Sequence, residues 1–328
     1  MTDVVDMERS PFDPSAVAPE TAEFNAKLEA LLATTPEPQT LHPQQVRDQR
    51  ESGQGTFGPI VLSSLAKERT IHGPTGDVPV RVLLPDTVSG VYLHIHGGGW
   101  AFGRAHHNDV RNEQIARHCN MAVVSVDYQL APEHPYPAGP DDCETVAAWL
   151  AKNAVSEFGS DRIVIGGESA GGHLAAVTLL RMRDRHGFMG FSAANLVYGA
   201  FDLTMTPSQL RWGDRYLVLS GGFIRWSMEG FVPDAELRRD PDVSPLYADL
   251  SGLPPALFTV GTLDPLLDDS LFMHARWLAA GNKSEFAVYP GGVHAFSAFP
   301  IELARQANAR IDSFVSQVVA KRPAASAV

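Results

Sequence analysis

Cysteine is nearly absent: Cys119 and Cys143 are the only two in 328 residues. They allow one bridge at most, which excludes a disulfide-built scaffold. Positive charge is also scarce. Lys and Arg number 26 against 38 Asp and Glu, a formal net charge of −12. A surface this acidic repels phosphate backbones and anionic lipid, so neither a nucleic acid nor a membrane is an expected partner. Long apolar runs are missing as well; nothing approaches the roughly 18 uninterrupted apolar residues of a spanning helix. The first residues, Met1 to Glu8, are acidic where a signal peptide is basic, and no apolar core follows them. The expectation is a cytoplasmic globular protein. Hydrophobic residues make up 44% and charged ones 20%, enough for a substantial core. With 28 Gly and 24 Pro, loops form a large part of the architecture.

Four stretches divide the chain. Residues 1–58 read as a loose arm carrying Pro11, Pro14 and Pro19, then two helices that lean on the main body. In the first helix Phe24, Leu28, Leu31 and Leu32 share a face; the second opens at Pro43 and stops before Gly53. Residues 59–201 and 249–328 form the core. The runs Ile60–Ile71 and Val78–Leu84 flank Gly73-Pro74-Thr75-Gly76 and predict a hairpin. Short strands near Val91–Ile95, Met121–Val126, Arg162–Gly166, Ala194–Val197, Ala256–Val260 and Ser284–Tyr289 follow. They alternate with helices near Asn108–Cys119, Asp141–Asn153, Gly171–Arg185, Leu267–Ala280 and Ile301–Val319. That alternation predicts an α/β fold: a mostly parallel sheet with helices on both faces. From Arg322 the tail reads as frayed. Residues 202–248 break the pattern, with Trp212, Tyr216, Phe223, Trp226 and Phe231 but no clean strand. An insertion at the carboxyl edge of a parallel sheet lies where ligands bind, so it reads as a lid. Its aromatics either face the ligand or pack on one another.

The sharpest local signal is Gly167-Glu168-Ser169-Ala170-Gly171. The run Arg162–Gly166 before it reads as a strand, and a helix begins after it. So tight a strand-to-helix turn holds its central residue strained and pushes the Ser169 hydroxyl out at the top of the sheet. A serine is a poor nucleophile until a base takes its proton. His294, in a glycine-rich loop after the last strand, is the candidate base. The base needs an acid to hold its tautomer, and Asp264 ends the strand Ala256–Val260. Asp268 and Asp269 compete for that role, but both fall in the start of the next helix. There Asp268 reads as serving the helix N-terminus or as a support behind the acid. The order Ser169, Asp264, His294 is that of the α/β-hydrolase triad. Donors for an oxyanion are at hand in His96-Gly97-Gly98-Gly99-Trp100, where glycines let N–H groups approach a substrate oxygen, and in the N–H of Ala170. Trp100 and Phe102 read as pocket walls or as core.

These motifs together resemble the bacterial hormone-sensitive-lipase-like family, family IV of the α/β-hydrolase carboxylesterases. The stretch His96–Trp100, Asp127–Ala138, Gly167–Gly172, Asp264-Pro265-Leu266 and His294-Ala295-Phe296 carry the resemblance, from about residue 90 onward. It implies an α/β-hydrolase fold with a helical cap from the N-terminal helices and residues 202–248. It also implies a serine carboxylesterase acting on short- to medium-chain acyl esters through an acyl-enzyme. Site residues on this reading are Ser169, Asp264 and His294, with Gly97, Gly98, Gly99 and Ala170 at the oxyanion. Glu168 and Asp268 support them, and Trp100, Phe102, Trp212, Tyr216 and Phe223 form the substrate pocket. The expected partner is a small-molecule ester, with no cofactor and no metal, and with a homodimer as the family's common assembly. Three positions depart from the family's usual residues: Glu168 where Asp is usual, Gln129 where Arg is, and Ala295 where Gly is. None belongs to the triad. An amidase or deacetylase with the same triad, and a ligand receptor that binds without turnover, are the alternatives. Of the remaining histidines, His94 and His96 share a strand face, and His106-His107 has no acidic partner at a metal-binding sequence spacing. The latter pair reads as a solvated loop.

Overall fold

The computed structural model describes residues 10–74 and 76–320. The segment from Arg322 expected to be frayed, residues 1–9 and Thr75 lie outside that description. Two helices come first, α1 (Pro19–Leu32) and α2 (Pro43–Glu51), each with proline at its start, where a missing N–H costs nothing. The hairpin follows as β1 (Ala66–Gly73) and β2 (Gly76–Leu83). Then come β3 (Gly90–Ile95), α3 (Asp109–Cys119), β4 (Met121–Val126) and α4 (Ala138–Phe158). The chain continues with β5 (Ile163–Glu168), α5 (Ala170–His186) and β6 (Phe191–Val197). Two short helices, α6 (Pro207–Trp212) and α7 (Gly221–Phe231), interrupt the alternation. It resumes with β7 (Ala256–Leu263), α8 (Leu267–Ala279), β8 (Ser284–Val293) and α9 (Glu302–Ala320).

The strands make one sheet in the order β1-β2-β4-β3-β5-β6-β7-β8. The β1–β2 and β2–β4 pairs are antiparallel and the rest are parallel. Every residue of β3 and β4 is buried, as expected of central strands covered on both faces. Along β3, Val91, Leu93 and Ile95 join one apolar cluster with residues of α4, α5 and α8, while Tyr92 joins another with residues of α3 and α9. The period of two thus sends alternate side chains into two separate cores. Among the described residues, no helix is long and apolar enough to cross a membrane.

Two expectations need correction. The first hairpin strand begins at Ala66, not Ile60; residues 60–65 find no neighbouring strand, and Val61 and Leu62 stay exposed. In α1 the buried face is Thr21, Asn25, Leu28 and Leu32, whereas Leu31 is 57% exposed. The helix is turned by Asn25, whose side-chain amide donates to the Gly291 carbonyl of β8 at 2.8 Å. That anchor rotates Leu31 off the face that its hydrophobicity alone suggests.

Candidate active site

Strand β5 ends and α5 begins with a single residue between them, Ser169, at φ 57° and ψ −120°. A side chain held there costs energy, so the surroundings must over-determine it. Gly171 shows how: a Cβ at that position would overlap the Ile95 carbonyl oxygen, so only glycine lets α5 pack this close to β3. The Ser169 Oγ lies 2.9 Å from Nε2 of His294. His294 follows β8, and its Nδ1 lies 2.9 and 3.1 Å from the two carboxylate oxygens of Asp264, which follows β7. Oδ1 of Asp264 also accepts the Leu266 N–H at 2.8 Å. Asp264 and His294 are both 3% exposed. The three side chains therefore come from the carboxyl ends of β5, β7 and β8, brought together by the parallel sheet.

Asp268 and Asp269 have other duties. Asp268 accepts the Ser208 N–H at 2.7 Å, near the start of α6. Asp269 is wholly buried and accepts from the N–H groups of Phe201 and Asp202, from Thr206 Oγ1 and from Gln209 Nε2. Burial pushes its carboxyl up to about 7, against the pull of those donors. It anchors the point where the chain leaves the core toward α6.

The glycine run after β3 curls against the elbow. Gly98 sits at φ 122°, and a Cβ on it would strike the Phe102 carbonyl. Among the described residues no acceptor is bonded to the N–H of Gly98, Gly99 or Ala170. Gly97 lies directly behind them, with space for a Cβ closed by the Glu168 carbonyl at 2.7 Å. Trp100, at φ 58°, closes the loop; its indole N–H donates to Nδ1 of His173 at 3.1 Å, and His173 Nε2 donates to the Val243 carbonyl at 2.7 Å. That pattern specifies one neutral tautomer, and burial pushes His173 down to about 4. Neither the His173 bridge nor Tyr198, whose ring lies 5.0 Å from that of His294, was apparent from sequence.

Glu168 does not touch the triad. Its Oε2 lies 3.1 Å from His94 Nε2 and 3.3 Å from Asn108 Nδ2, while His94 Nδ1 faces Ser125 Oγ at 2.7 Å. Burial raises the Glu168 carboxyl, but His94 and Arg111 outweigh it and leave it below its ordinary value. His96 is stacked on Tyr128 at 4.2 Å with Nδ1 on the Gly97 carbonyl, so His94 and His96 have separate partners. Gln129 is held by Asp142, which accepts from its backbone N–H and its side-chain amide. Ala295 adopts φ 59°, which costs about 1–2 kcal/mol that glycine avoids.

A cleft of about 30 Å³ opens beside Ser169, lined by Gly99, Trp100, Ala200, Phe223, Ile224 and Met228 among others. Of the residues expected at the pocket, Trp100 and Phe223 line this cleft. Phe102, Trp212 and Tyr216, also expected at the pocket, are not in its wall. Phe102 lies behind it, stacked on Phe223 and Trp226, and Trp212 is held by its N–H on the Leu219 carbonyl at 3.0 Å. Tyr216 packs with the cluster on the α1 side. Sequence showed where the aromatics cluster but not which side of α6 and α7 faces Ser169.

Known proteins resemble this chain in sequence and in fold. The model of a family described as having the alpha/beta hydrolase fold matches residues 92–298. The carboxylic ester hydrolase LipN of Mycobacterium tuberculosis is 34% identical over 237 residues, 69% of this chain and 63% of LipN, so the match spans less than two thirds of that relative. The carboxylesterase NlhH of the same organism is 35% identical over 262 residues, covering 76% of this chain and 82% of NlhH. A crystal structure described as a hormone-sensitive lipase from a metagenome library superposes with a TM-score of 0.81 at 29% identity, over 91% of this chain and 98% of that one.

Proposed function

The chain belongs to the alpha/beta-hydrolase family and, within it, to the hormone-sensitive-lipase-like carboxylesterases, and from that premise we propose a serine hydrolase of short- to medium-chain carboxylic esters. The observation that supports this most is the unbroken run of hydrogen bonds from Asp264 through His294 to Ser169. His294 Nε2 takes the hydroxyl proton as Ser169 Oγ attacks the ester carbonyl. The oxygen that becomes negative is met by the N–H groups of Gly98, Gly99 and Ala170, with Gly97 giving the loop room against the elbow. Asp264 holds Nδ1–H and stabilises the imidazolium. The same ring then returns the proton to the departing alcohol, and water repeats the sequence on the acyl-enzyme.

The N-terminal helices and residues 202–248 form the cap of this reading. Glu29 pairs with Arg215 at 2.7 Å, and Glu37 bonds Ser220 at the start of α7, so the two parts hold each other over the cleft. The cleft of about 30 Å³ holds little more than a water as it stands, so the proposed range of about two to eight acyl carbons requires side chains of α7 to yield, each buried CH₂ gaining about 0.8 kcal/mol only until that space is full. The reading includes a cytoplasmic location, in keeping with two buried free thiols. It also includes a homodimer paired at β8, the edge strand, beside exposed Phe272 and Leu278 of α8. A fluorophosphonate probe tests the activity. Ser169 should be labelled, and Ser169→Ala should lose the label and about 10⁶ in kcat on p-nitrophenyl acetate with its circular dichroism unchanged. Undiminished labelling, or retention of more than about one per cent of the rate, overturns the assignment.

A further inference from the structure

The pair His106-His107 lacks an acidic partner in sequence, and the fold supplies one. Glu51, the last residue of α2, places Oε2 3.0 Å from His106 Nε2 and Oε1 2.8 Å from His107 Nε2. The two rings stand at 81° with centroids 4.6 Å apart, and the donor atoms of all three residues lie within 4.8 Å of one another. Adjacent residues in a 3₁₀ turn, here Ala105–Asn108, project about 120° apart and ordinarily diverge. Here both Nε2 atoms instead converge on one carboxylate from a helix more than fifty residues away. The His107 side chain is 6% exposed, that of His106 26% and that of Glu51 45%, so the cluster is walled on one side and open to water on the other.

We propose that Glu51, His106 and His107 form a binding site for a borderline divalent transition-metal ion, of which Zn²⁺ is the natural probe, and that the ion staples α2 to the core. Two imidazole nitrogens with one carboxylate suit such an ion and not Ca²⁺ or Mg²⁺, which demand oxygen ligands. Tetrahedral ligands at about 2.0–2.1 Å stand roughly 3.3 Å apart, so the Glu51 carboxylate turns to offer one oxygen to the ion and the donor atoms, now within 4.8 Å of one another, draw together around it. The two imidazoles close toward each other, their protons move to Nδ1, and water fills the fourth position. The affinity is modest, because only three protein ligands contribute and the Arg50 guanidinium stands next to Glu51.

The staple acts where it bears on the cleft. Arg47 already ties α2 to the Ala101 and Ala131 carbonyls, each at 3.0 Å, and to Glu133. The ion adds a second tie at the end of the helix, next to the segment that follows the glycine loop. The chain before α2 reaches α7 through Glu37 and Ser220, so fixing α2 also steadies a wall of the cleft.

Calorimetric titration of metal-free protein with ZnCl₂, with CaCl₂ as control, tests this. Wild type should take up one Zn²⁺ per chain and no Ca²⁺. At Zn²⁺ about 100-fold above the dissociation constant, its Tm should rise by about 4 °C. Glu51→Gln and His107→Asn should each weaken that uptake at least tenfold and cancel the Tm rise, while metal-free ester hydrolysis stays at the wild-type rate. His106→Gln, at the more exposed ligand, keeps the test decisive should either of the others fold poorly. Co²⁺ should give the intense visible bands of a tetrahedral ion in wild type and lose them in the variants. Equal Zn²⁺ uptake by wild type and variants, or none by wild type at millimolar Zn²⁺, overturns the site.

Discussion

Asp264→Asn changes one atom and almost no volume, and the surroundings dictate its effect. Oδ1 of Asp264 accepts the Leu266 N–H at 2.8 Å, and the carboxylate also faces His294 Nδ1 at 2.9 Å. Asparagine offers one acceptor for those two donors. If its oxygen stays on Leu266, its NH₂ faces Nδ1 and selects the tautomer with the proton on Nε2. That proton points at Ser169 Oγ, 2.9 Å away, and the ring can no longer take the hydroxyl proton. If the amide flips, its NH₂ meets the Leu266 N–H in a site only 3% exposed. Two buried donors face to face cost about 1–3 kcal/mol, which leaves roughly one molecule in five to one in a hundred and fifty in the working tautomer. The missing carboxylate charge, no longer opposite the imidazolium, accounts for the rest of a total near 10⁴ in kcat. The assay is kcat and KM on p-nitrophenyl acetate with a thermal melt of the same sample. KM should stay within about twofold and kcat should carry the loss, since Asp264 touches no substrate. A kcat within about 100-fold of wild type, or a loss carried by KM, refutes the reasoning.

The cleft sets two further outcomes. Met228, 2% exposed, lines it, so Met228→Ala should move the kcat/KM optimum about two to three carbons longer and cost about 2–4 kcal/mol of stability; parallel acyl-length profiles from acetate to dodecanoate would count against the cleft as the acyl site. Stability should also depend on pH through His96 and His173, which burial pushes down to about 4. Between pH 6.5 and 4 the unfolded chain binds two protons that the folded protein refuses, so this contribution is full above about pH 6.5 and is lost as pH falls toward 4, about 3 kcal/mol per ring. Urea midpoints of wild type and His173→Asn at pH 7 and 4.5 check it: the variant should decline less, and identical declines would exclude His173 as a source.

The elbow and its two partners were legible because each depends on local chain geometry. Gly167, Ser169 and Gly171 report a strand turning at once into a helix, a conformation that few sequences tolerate. Asp264 and His294 stand just after apolar runs that read as strands, and a parallel sheet carries all such positions to one edge. The same rule separates Asp264 from Asp268 and Asp269, which lie inside α8 and read as helix residues for that reason. The sheet order was not legible to the same degree. Nothing in the residues of β1 and β2 says that the hairpin lies against β4, because that pairing is decided by which edge of the parallel strands is left open, here that of β4.

Contacts between distant segments stayed hidden, and they govern how the site is held. The Trp100–His173–Val243 bridge joins three segments whose only common property is burial. A histidine four residues after Ser169 reads as an ordinary helix residue until the indole and the carbonyl arrive on either side of it. The insertion of residues 202–248 shows the same limit. In α7 the residues toward Ser169 are Phe223, Ile224, Ser227 and Met228, spaced by one, three and one, a helical face that periodicity can find. Periodicity cannot say what that face looks at, and hydrophobicity selected Trp212 and Tyr216 equally well. The face is chosen by the ends of the insertion: Asp269 fixes its start through Phe201, Asp202, Thr206 and Gln209, and Val243 on His173 fixes its return. With both ends held by buried polar bonds, α7 has one way to lie over the strand ends, and the cleft beside Ser169 is what remains beneath it.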